Sequence, residues 1–241
     1  MNYKFRNDTC ILIGDTHDTL TTYQILNLDI PNGSDVWHCG DGGLGFGSFE
    51  YAIPNAKSWL SKINGLCAKL DIILYHQIGN HDNPDVWKIS EKYSNVVLLQ
   101  TGEVGIFPNG KKVLFVGGGV SVDRCDRREN YNYWKDEITP TLDHVEKTDF
   151  VFSHDAPEYF NHSTNSLPKK FPRYCLNDPT LIQDCLNQRN NVSNIVEKSG
   201  AKVIFSGHFH NDIRQEINGV YYRCLDINER FEFDSNKVYK L

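Results

Sequence analysis

Five short segments of the chain carry carboxylate, amide or imidazole side chains directly after an apolar run, four of them beside a glycine. The segments are Ile13-Gly14-Asp15-Thr16-His17, Cys39-Gly40-Asp41-Gly42, Ile78-Gly79-Asn80-His81-Asp82, Phe152-Ser153-His154-Asp155 and Ser206-Gly207-His208-Phe209-His210. Their candidate ligands are aspartate, asparagine and histidine, without cysteine. Such nitrogen and oxygen donors suit divalent Mn, Fe, Zn, Ni or Co, so the residue types predict a metal site.

The candidate ligands are too many for one tetrahedral ion, but they suit two ions that share a carboxylate. Two metals about 3.5 to 4 Å apart form a clamp for displacement at phosphorus. One side of the clamp holds the nucleophile, and the other stabilises charge on the phosphoryl oxygens. The set therefore favours a dinuclear centre that hydrolyses a phosphoester.

Strands that end at a common edge are needed to bring these segments together. Short runs that are apolar throughout recur along the chain, and such runs suit strands buried on both faces. The predicted strands are Cys10–Ile13, Val36–Cys39, Ile72–Ile78, Val96–Leu99, Lys112–Val116, Phe150–Ser153 and Val203–Ser206. Because the loops after strand carboxyl ends gather at one edge of an α/β sheet, we expect the five segments to meet there.

Helical spacing of apolar residues occurs twice, over 56–70 and over 181–196. We expect Asp178 to cap the second helix, Pro179 to take its first position and Gly200 to end it.

A hairpin is predicted near the carboxyl terminus, where Arg214–Ile217 and Val220–Asp226 flank Asn218-Gly219, a pair that favours a tight two-residue turn. Strands that alternate with helices and end in a hairpin indicate an α/β sandwich.

Length and composition limit the remaining possibilities. The 241 residues predict a single domain over 1–241, with irregular, proline-containing insertions on the substrate side around 121–179. No apolar run approaches the roughly 20 residues that cross a bilayer, so no membrane partner is expected and the chain is predicted to be cytoplasmic. The net charge of −6 argues against binding nucleic acid through a broad basic surface. Seven scattered cysteines without a CxxC pair are predicted to be reduced and mostly buried.

The order DxH, GD, GNHD, H and GHxH resembles the calcineurin-like metallophosphoesterase superfamily, over the chain from Asp15 to His210. The resemblance implies a four-layer α/β/β/α sandwich, which agrees with the predicted strands. It also implies one metal held by Asp15, His17 and His210, a second held by Asn80, His154 and His208, and Asp41 bridging the two.

The same resemblance makes His81 the catalytic histidine, and Asp82 beside it is expected to tune or orient that ring. A hydroxide bridging both ions would be the nucleophile, because metal coordination lowers the pKa of water toward about 7. His81 would then protonate the leaving oxygen or stabilise equatorial charge. Mn²⁺ is the first candidate for both ions, with Fe, Zn, Ni and Co as alternatives.

Substrate recognition is expected from the segment after Gly117-Gly118-Gly119, which resembles that of small bacterial and phage members of the superfamily. Arg124 and Arg127 follow it, and guanidinium groups can grip phosphate in a forked geometry. The alternative is a solvated charged loop in which Trp134 fills part of the core. The expected substrate is a small phosphomonoester or phosphodiester, with nucleotides among the candidates.

Two other functions remain open from the sequence. One is a metal-dependent nuclease, although no added DNA-binding region is visible. The other is a non-catalytic scaffold on the same fold, against which the intact ligand set argues. The GD segment lacks the Asp-Arg-Gly element of protein Ser/Thr phosphatases, so that activity is disfavoured.

Four histidines lie outside the five segments. His38 and His76 are expected to be satisfied core or supporting groups within strands, and His144 and His162 are expected in solvated loops.

Overall fold

Two β-sheets face each other in the computed structural model, which describes residues 2–47, 49–89, 92–160 and 169–241. The strands are β1 (Asn2–Lys4), β2 (Thr9–Ile13), β3 (Asp35–His38), β4 (Ile73–His76), β5 (Val96–Leu98), β6 (Val104–Ile106), β7 (Lys112–Val116), β8 (Phe150–Ser153), β9 (Val203–Ser206), β10 (Ile213–Ile217), β11 (Val220–Cys224) and β12 (Arg230–Asp234). The helices are α1 (Thr19–Leu28), α2 (Ala52–Lys69), α3 (Phe171–Asn177) and α4 (Leu181–Ser199).

The two sheets are rich in parallel pairs. One has the order β1-β6-β7-β8-β9-β11-β10, and the other has the order β12-β2-β3-β4-β5. Within them β7, β8 and β9 run parallel, as do β2, β3, β4 and β5. The carboxyl ends of each parallel set therefore lie along one edge, as the sequence predicted.

Aromatic side chains fill the space between the sheets. Phe115, Phe152 and Phe205 from one sheet and Trp37 and Phe233 from the other are fully buried there. Tilted and edge-to-face ring pairs connect them, such as Trp37 and Phe152 with centroids 4.9 Å apart. This apolar layer joins the two sheets and thereby fixes the position of their edges relative to each other.

Helices cover both outer faces. Val192 and Ile195 of α4 pack on the seven-stranded sheet, in a cluster with Val151 of β8. Leu60 of α2 packs on the five-stranded sheet with Leu74 of β4. The resulting order of layers is helix, sheet, sheet and helix, so the expected α/β/β/α sandwich is confirmed.

Local predictions were confirmed in some places and wrong in others. Gly200, with a φ of 75°, ends α4 as expected, and the hairpin turn at Asn218-Gly219 has two left-handed residues. The start of α4 was predicted wrongly, because the helix begins after Thr180, and Asp178 instead follows the last residue of α3. The Asp178 carboxylate binds Arg124, an interaction that helix-capping patterns do not reveal.

The strand histidines His38 and His76 are buried and stack with ring centroids 4.5 Å apart. The hydroxyl of Thr16 lies 3.2 Å from Nε2 of His38. Nε2 of His76, in contrast, has no hydrogen-bond partner among the described residues, although the ring is buried as expected. His162 lies outside the described residues.

Among the described residues, no helix has both the length and the apolar character needed to cross a bilayer. All seven cysteines are free, and Cys10, Cys39, Cys67 and Cys224 are buried.

Removal of one ring from the layer between the sheets should destabilise the fold. We expect Phe152→Ala to lower the free energy of unfolding by about 3 to 5 kcal/mol, since it leaves a cavity among rigid rings. Val238→Ala, at a side chain that is 83% exposed, should change it by less than about 0.5 kcal/mol. Denaturant unfolding followed by circular dichroism measures both. Equal stability of the two variants would contradict the assigned packing.

Candidate metal centre

The predicted ligands converge where the parallel strands of the two sheets end. Asp15 follows β2, Asp41 follows β3 and Asn80 follows β4 in the five-stranded sheet. His154 and His208 follow β8 and β9 in the seven-stranded sheet. The site therefore lies across the adjoining edges of both sheets, and neither sheet holds it alone.

The first cluster contains Asp15, His17, Asp41 and His210, whose ligand atoms all lie within 4.8 Å of one another. Nε2 of His210 is 2.9 Å from Oδ2 of Asp15 and 2.9 Å from Nε2 of His17. Two imidazole nitrogens that face each other need either a shared proton or a cation between them. The donor set therefore fits a divalent ion.

The second cluster is centred on His154. Its Nε2 lies 3.1 Å from Oδ1 of Asn80 and 3.4 Å from Oδ1 of Asp41. The ring of His208 is near, with centroids 5.0 Å apart. The other Asp41 oxygen, Oδ2, faces the first cluster at 3.9 Å from Nδ1 of His17. The two oxygens of one buried carboxylate thus face the two clusters separately.

The backbone is strained at the ligands. His17, Asp41, His208 and His210 have φ values of 59°, 58°, 67° and 50°. Non-glycine residues seldom adopt this left-handed region, although aspartate and histidine do so more often than most. Each such residue costs on the order of 1 to 3 kcal/mol and persists only where surrounding structure imposes it. The packing around the candidate ligands therefore holds these four residues in a conformation that they seldom adopt.

Carboxylates and histidines inside the centre shift one another's pKa values. Burial would raise the pKa of Asp15, but the hydrogen bond from His210 and the charge of His154 hold it well below its ordinary value. The pKa of Asp41 is lowered in the same way, against the effect of burial, by His154 and His81. For His154 and His210, burial lowers the pKa and the nearby aspartates raise it. The net effect is a raised pKa for both histidines. Both carboxylates are therefore ionised, as a cation site requires.

Cys39 is a neighbour of the centre that the sequence did not single out. Its thiol donates a hydrogen bond to Oδ1 of Asp15 at 2.8 Å, and its sulfur and the ligand atoms of Asp15 and His154 lie within 4.8 Å of one another. Burial, followed by the charge of Asp15, raises the pKa of the thiol well above its usual value. In this structure the thiol of Cys39 therefore acts as a protonated donor to Asp15.

Asp82 has contacts that differ from the expected one with the His81 ring. Its carboxylate accepts hydrogen bonds from the backbone N–H groups of Asp41 at 2.9 Å, Gly79 at 3.0 Å and Leu44 at 3.0 Å. Burial, followed by the charge of Asp41, raises its pKa to about 7. Asp82 thus joins two ligand-bearing loops and holds the Asp41 backbone in place.

His81 lies at the mouth of the centre. Its backbone N–H donates to Oδ1 of Asp41 at 2.7 Å, and its ring stacks on Phe46 with centroids 5.0 Å apart. Burial lowers its pKa to about 4. Nε2 accepts a hydrogen bond from Nη2 of Arg127 at 2.7 Å. The imidazole therefore projects toward the cavity beside a cation.

The two expected substrate-binding arginines are separated in the structure. Arg127 lines a cavity of about 280 Å³ together with the metal-centre residues Asp41, Asn80 and His81. Arg124 instead forms ion pairs with Asp178 and Asp184, each at 2.5 Å. Asp178 lies between α3 and α4 and Asp184 lies in the first turn of α4, and the two hold Arg124 outside the residues that line this cavity. Spacing along the chain could not reveal this difference.

A buried hydrogen-bond chain, also missed from the sequence, orients the Asn80 amide. Glu137 is 2% exposed and accepts from the backbone N–H of Ser121 at 2.6 Å and from its hydroxyl at 2.8 Å. The same hydroxyl accepts from Nδ2 of Asn80 at 3.1 Å and from Nη1 of Arg127 at 3.0 Å. A serine hydroxyl can donate one hydrogen bond and accept two. These three contacts therefore use the full capacity of the Ser121 hydroxyl. Asn80 therefore directs its oxygen toward the second cluster.

Comparison with known proteins agrees with this geometry. The profile of the calcineurin-like phosphoesterase family matches residues 9–212, which is most of the chain and includes every proposed ligand. The chain belongs to this family. Membership in the calcineurin-like phosphoesterase family implies metal-dependent hydrolysis of phosphoesters.

Two solved structures resemble the chain at low identity, and the first of them has the same fold. One crystal structure is 11% identical and superposes with a TM-score of 0.55, covering 94% of this chain and 95% of its own. Another, TT1561 of Thermus thermophilus, is 6% identical with a TM-score of 0.49, covering 95% of this chain and 100% of its own. No curated protein sequence matches the chain. The substrate of this family member must therefore be inferred from its own residues.

The hydrogen-bond series from Glu137 through Ser121 to Asn80 can be tested with Glu137→Gln. The glutamine oxygen can accept from the Ser121 N–H, but its amide then donates to the hydroxyl, which loses the acceptor for its own hydrogen. We expect the affinity of the second cluster for a divalent cation, probed with Mn²⁺, to fall by about 10- to 100-fold, the range typical for loss of a residue that orients a metal ligand.

Calorimetric titration with Mn²⁺ measures this change. Glu103→Gln, at a carboxylate that accepts from the Tyr3 hydroxyl and belongs to neither candidate cluster, is the matched control and should bind Mn²⁺ as tightly as the unchanged protein. Ser121→Thr keeps the hydroxyl and should retain more affinity than Ser121→Ala. Unchanged second-ion affinity in Glu137→Gln would contradict the assigned role.

Proposed function

We propose that the chain hydrolyses small phosphomonoesters or phosphodiesters with two divalent cations, Mn²⁺ being the first candidate. Asp15, His17 and His210 would hold one cation, Asn80, His154 and His208 the other, and Asp41 would contact both. The observation that carries this proposal is the orientation of Asp41, whose Oδ1 lies 3.4 Å from Nε2 of His154 and whose Oδ2 lies 3.9 Å from Nδ1 of His17.

When bound, two such cations activate water and neutralise charge on phosphoryl oxygens. The residues of the chain supply the rest of the chemistry. Arg127 can hold a phosphoryl oxygen through its guanidinium group, since it lines the same cavity as Asp41 and Asn80. Movement of Arg127 onto the substrate would release Nε2 of His81, to which it now donates. Burial and the Arg127 charge both lower the pKa of His81, so removal of that charge would let the freed Nε2 take a proton from solvent. The resulting imidazolium can then protonate the leaving oxygen or stabilise charge that develops there.

The activity is tested by release of p-nitrophenol from its phosphate monoester and diester, with and without Mn²⁺. We expect turnover that depends on Mn²⁺ and is lost after chelation. Absence of turnover with every metal would favour the scaffold alternative. Cleavage of a labelled DNA strand in preference to both small esters would favour the nuclease alternative.

Replacement of His81 should separate metal binding from turnover. We expect His81→Ala to retain both metal ions and to lose about 10²- to 10⁴-fold in kcat, the range typical of a lost general acid. His144→Ala, at an exposed loop histidine, is the control and should keep kcat. Metal analysis beside kinetics gives both quantities. A His81→Ala protein with wild-type kcat would remove this residue from the mechanism.

Replacement of Asp41 should instead abolish the dinuclear centre. Asp41→Asn keeps one oxygen and removes the charge that the two clusters share, so we expect at most one bound Mn²⁺ and little turnover. Metal content after gel filtration, measured on folded protein, decides the point. Two tightly bound ions in Asp41→Asn would contradict a shared carboxylate.

A further inference from the structure

A second cavity, of about 220 Å³, lies against the metal-centre cavity. The two have three lining residues in common, namely Val122, His208 and Phe209. One of them, His208, is a candidate metal ligand. The second cavity is therefore next to the place where a phosphoryl group would be held, on the side of His208 and Phe209.

The walls of this second cavity are apolar. Its lining includes Val120, Phe171, Ile182, Cys185 and Leu186, contributed by the segment after β7 and by α3 and α4. Ile182 and Leu186 are 53% and 38% exposed, although both are large apolar side chains. Apolar surface left open beside a reaction centre is the usual form of a pocket for an organic ligand.

Both charged residues in the lining make polar contacts within the protein. Oδ1 of Asp155 accepts a hydrogen bond from the backbone N–H of Ala156 at 2.7 Å. Arg189 donates to the carbonyls of Pro157 at 2.9 Å and Glu158 at 3.1 Å, and its guanidinium lies over the Phe209 ring at 5.3 Å. Sugar hydroxyls buried here would meet mostly carbon atoms, at a free-energy cost.

We propose that this cavity, bounded by α4 and Phe209, binds the organic group of the substrate, and that this group is an apolar ring or chain. The inference rests on the proposed function, which it deepens by naming the substrate class: an aryl or alkyl phosphoester in place of a sugar phosphate. The volume of about 220 Å³ is adequate for one ring, since a cavity of about 150 Å³ binds benzene.

Binding of two non-hydrolysable phosphonates to the Mn²⁺-loaded protein tests the proposal. Benzylphosphonate and methylphosphonate carry the same anionic head and differ in the apolar group. We expect benzylphosphonate to bind about 10- to 100-fold more tightly, the gain expected from burying one aromatic ring. Isothermal titration calorimetry measures both dissociation constants without any need for turnover.

One substitution in α4 and one in α3 test whether the preference for benzylphosphonate arises in this cavity. Leu186→Asn changes the pocket wall and should reduce the preference for benzylphosphonate at least about threefold, with methylphosphonate affinity unchanged. Leu176→Asn is the matched control, because Leu176 is 83% exposed and lies outside the pocket lining. Melting temperatures of both variants show whether they remain folded.

The outcomes separate this inference from the function on which it rests. Equal binding of the two phosphonates, or equal loss of preference in Leu186→Asn and Leu176→Asn, would overturn the apolar pocket and leave phosphoester hydrolysis standing. Failure of both phosphonates to bind a protein that holds its metal would overturn the proposed function, and this inference with it.

Discussion

The carboxylate of Asp41 is the constraint on which the rest of the site depends. It is 1% exposed and lies at the end of a central strand, with one oxygen toward His154 and the other toward His17. Its backbone is left-handed and its N–H is held by Asp82. The two histidines come from loops of different sheets. The carboxylate can therefore face both only if the two sheets pack in one fixed relative position.

Burial of these charges explains the supporting structure. A carboxylate removed from water is costly unless it is paired, and both Asp15 and Asp41 are almost fully buried. Histidine protons and the Cys39 thiol compensate part of that charge within the chain, while the remainder suits divalent cations. The apolar layer between the sheets excludes water beneath the centre, so electrostatic interactions above it are strengthened.

The two arginines near the centre differ in the groups that bind them. Arg127 shares a hydroxyl of Ser121 with Asn80, so one buried carboxylate, Glu137, orients a candidate ligand and a substrate-facing cation together. Arg124, three residues earlier, is held by acidic groups near α4. The apolar cavity beside Phe209 suits the organic part of a substrate. The phosphoryl group, in contrast, needs the cations and polar side chains of the metal centre.

By itself, the amino-acid sequence determined the buried strands, the hairpin turn, the family and the set of candidate ligands. Those features rest on local patterns, such as apolar runs, Asn-Gly and polar residues directly after strands. Only the tertiary structure decided that Asp82 binds backbone amides, that Arg127 and not Arg124 lines the cavity, and that Glu137 orients Asn80. Each of these contacts joins residues that are 3 to 60 positions apart in sequence. The folded geometry selects which partners meet, and the residue types alone do not specify them.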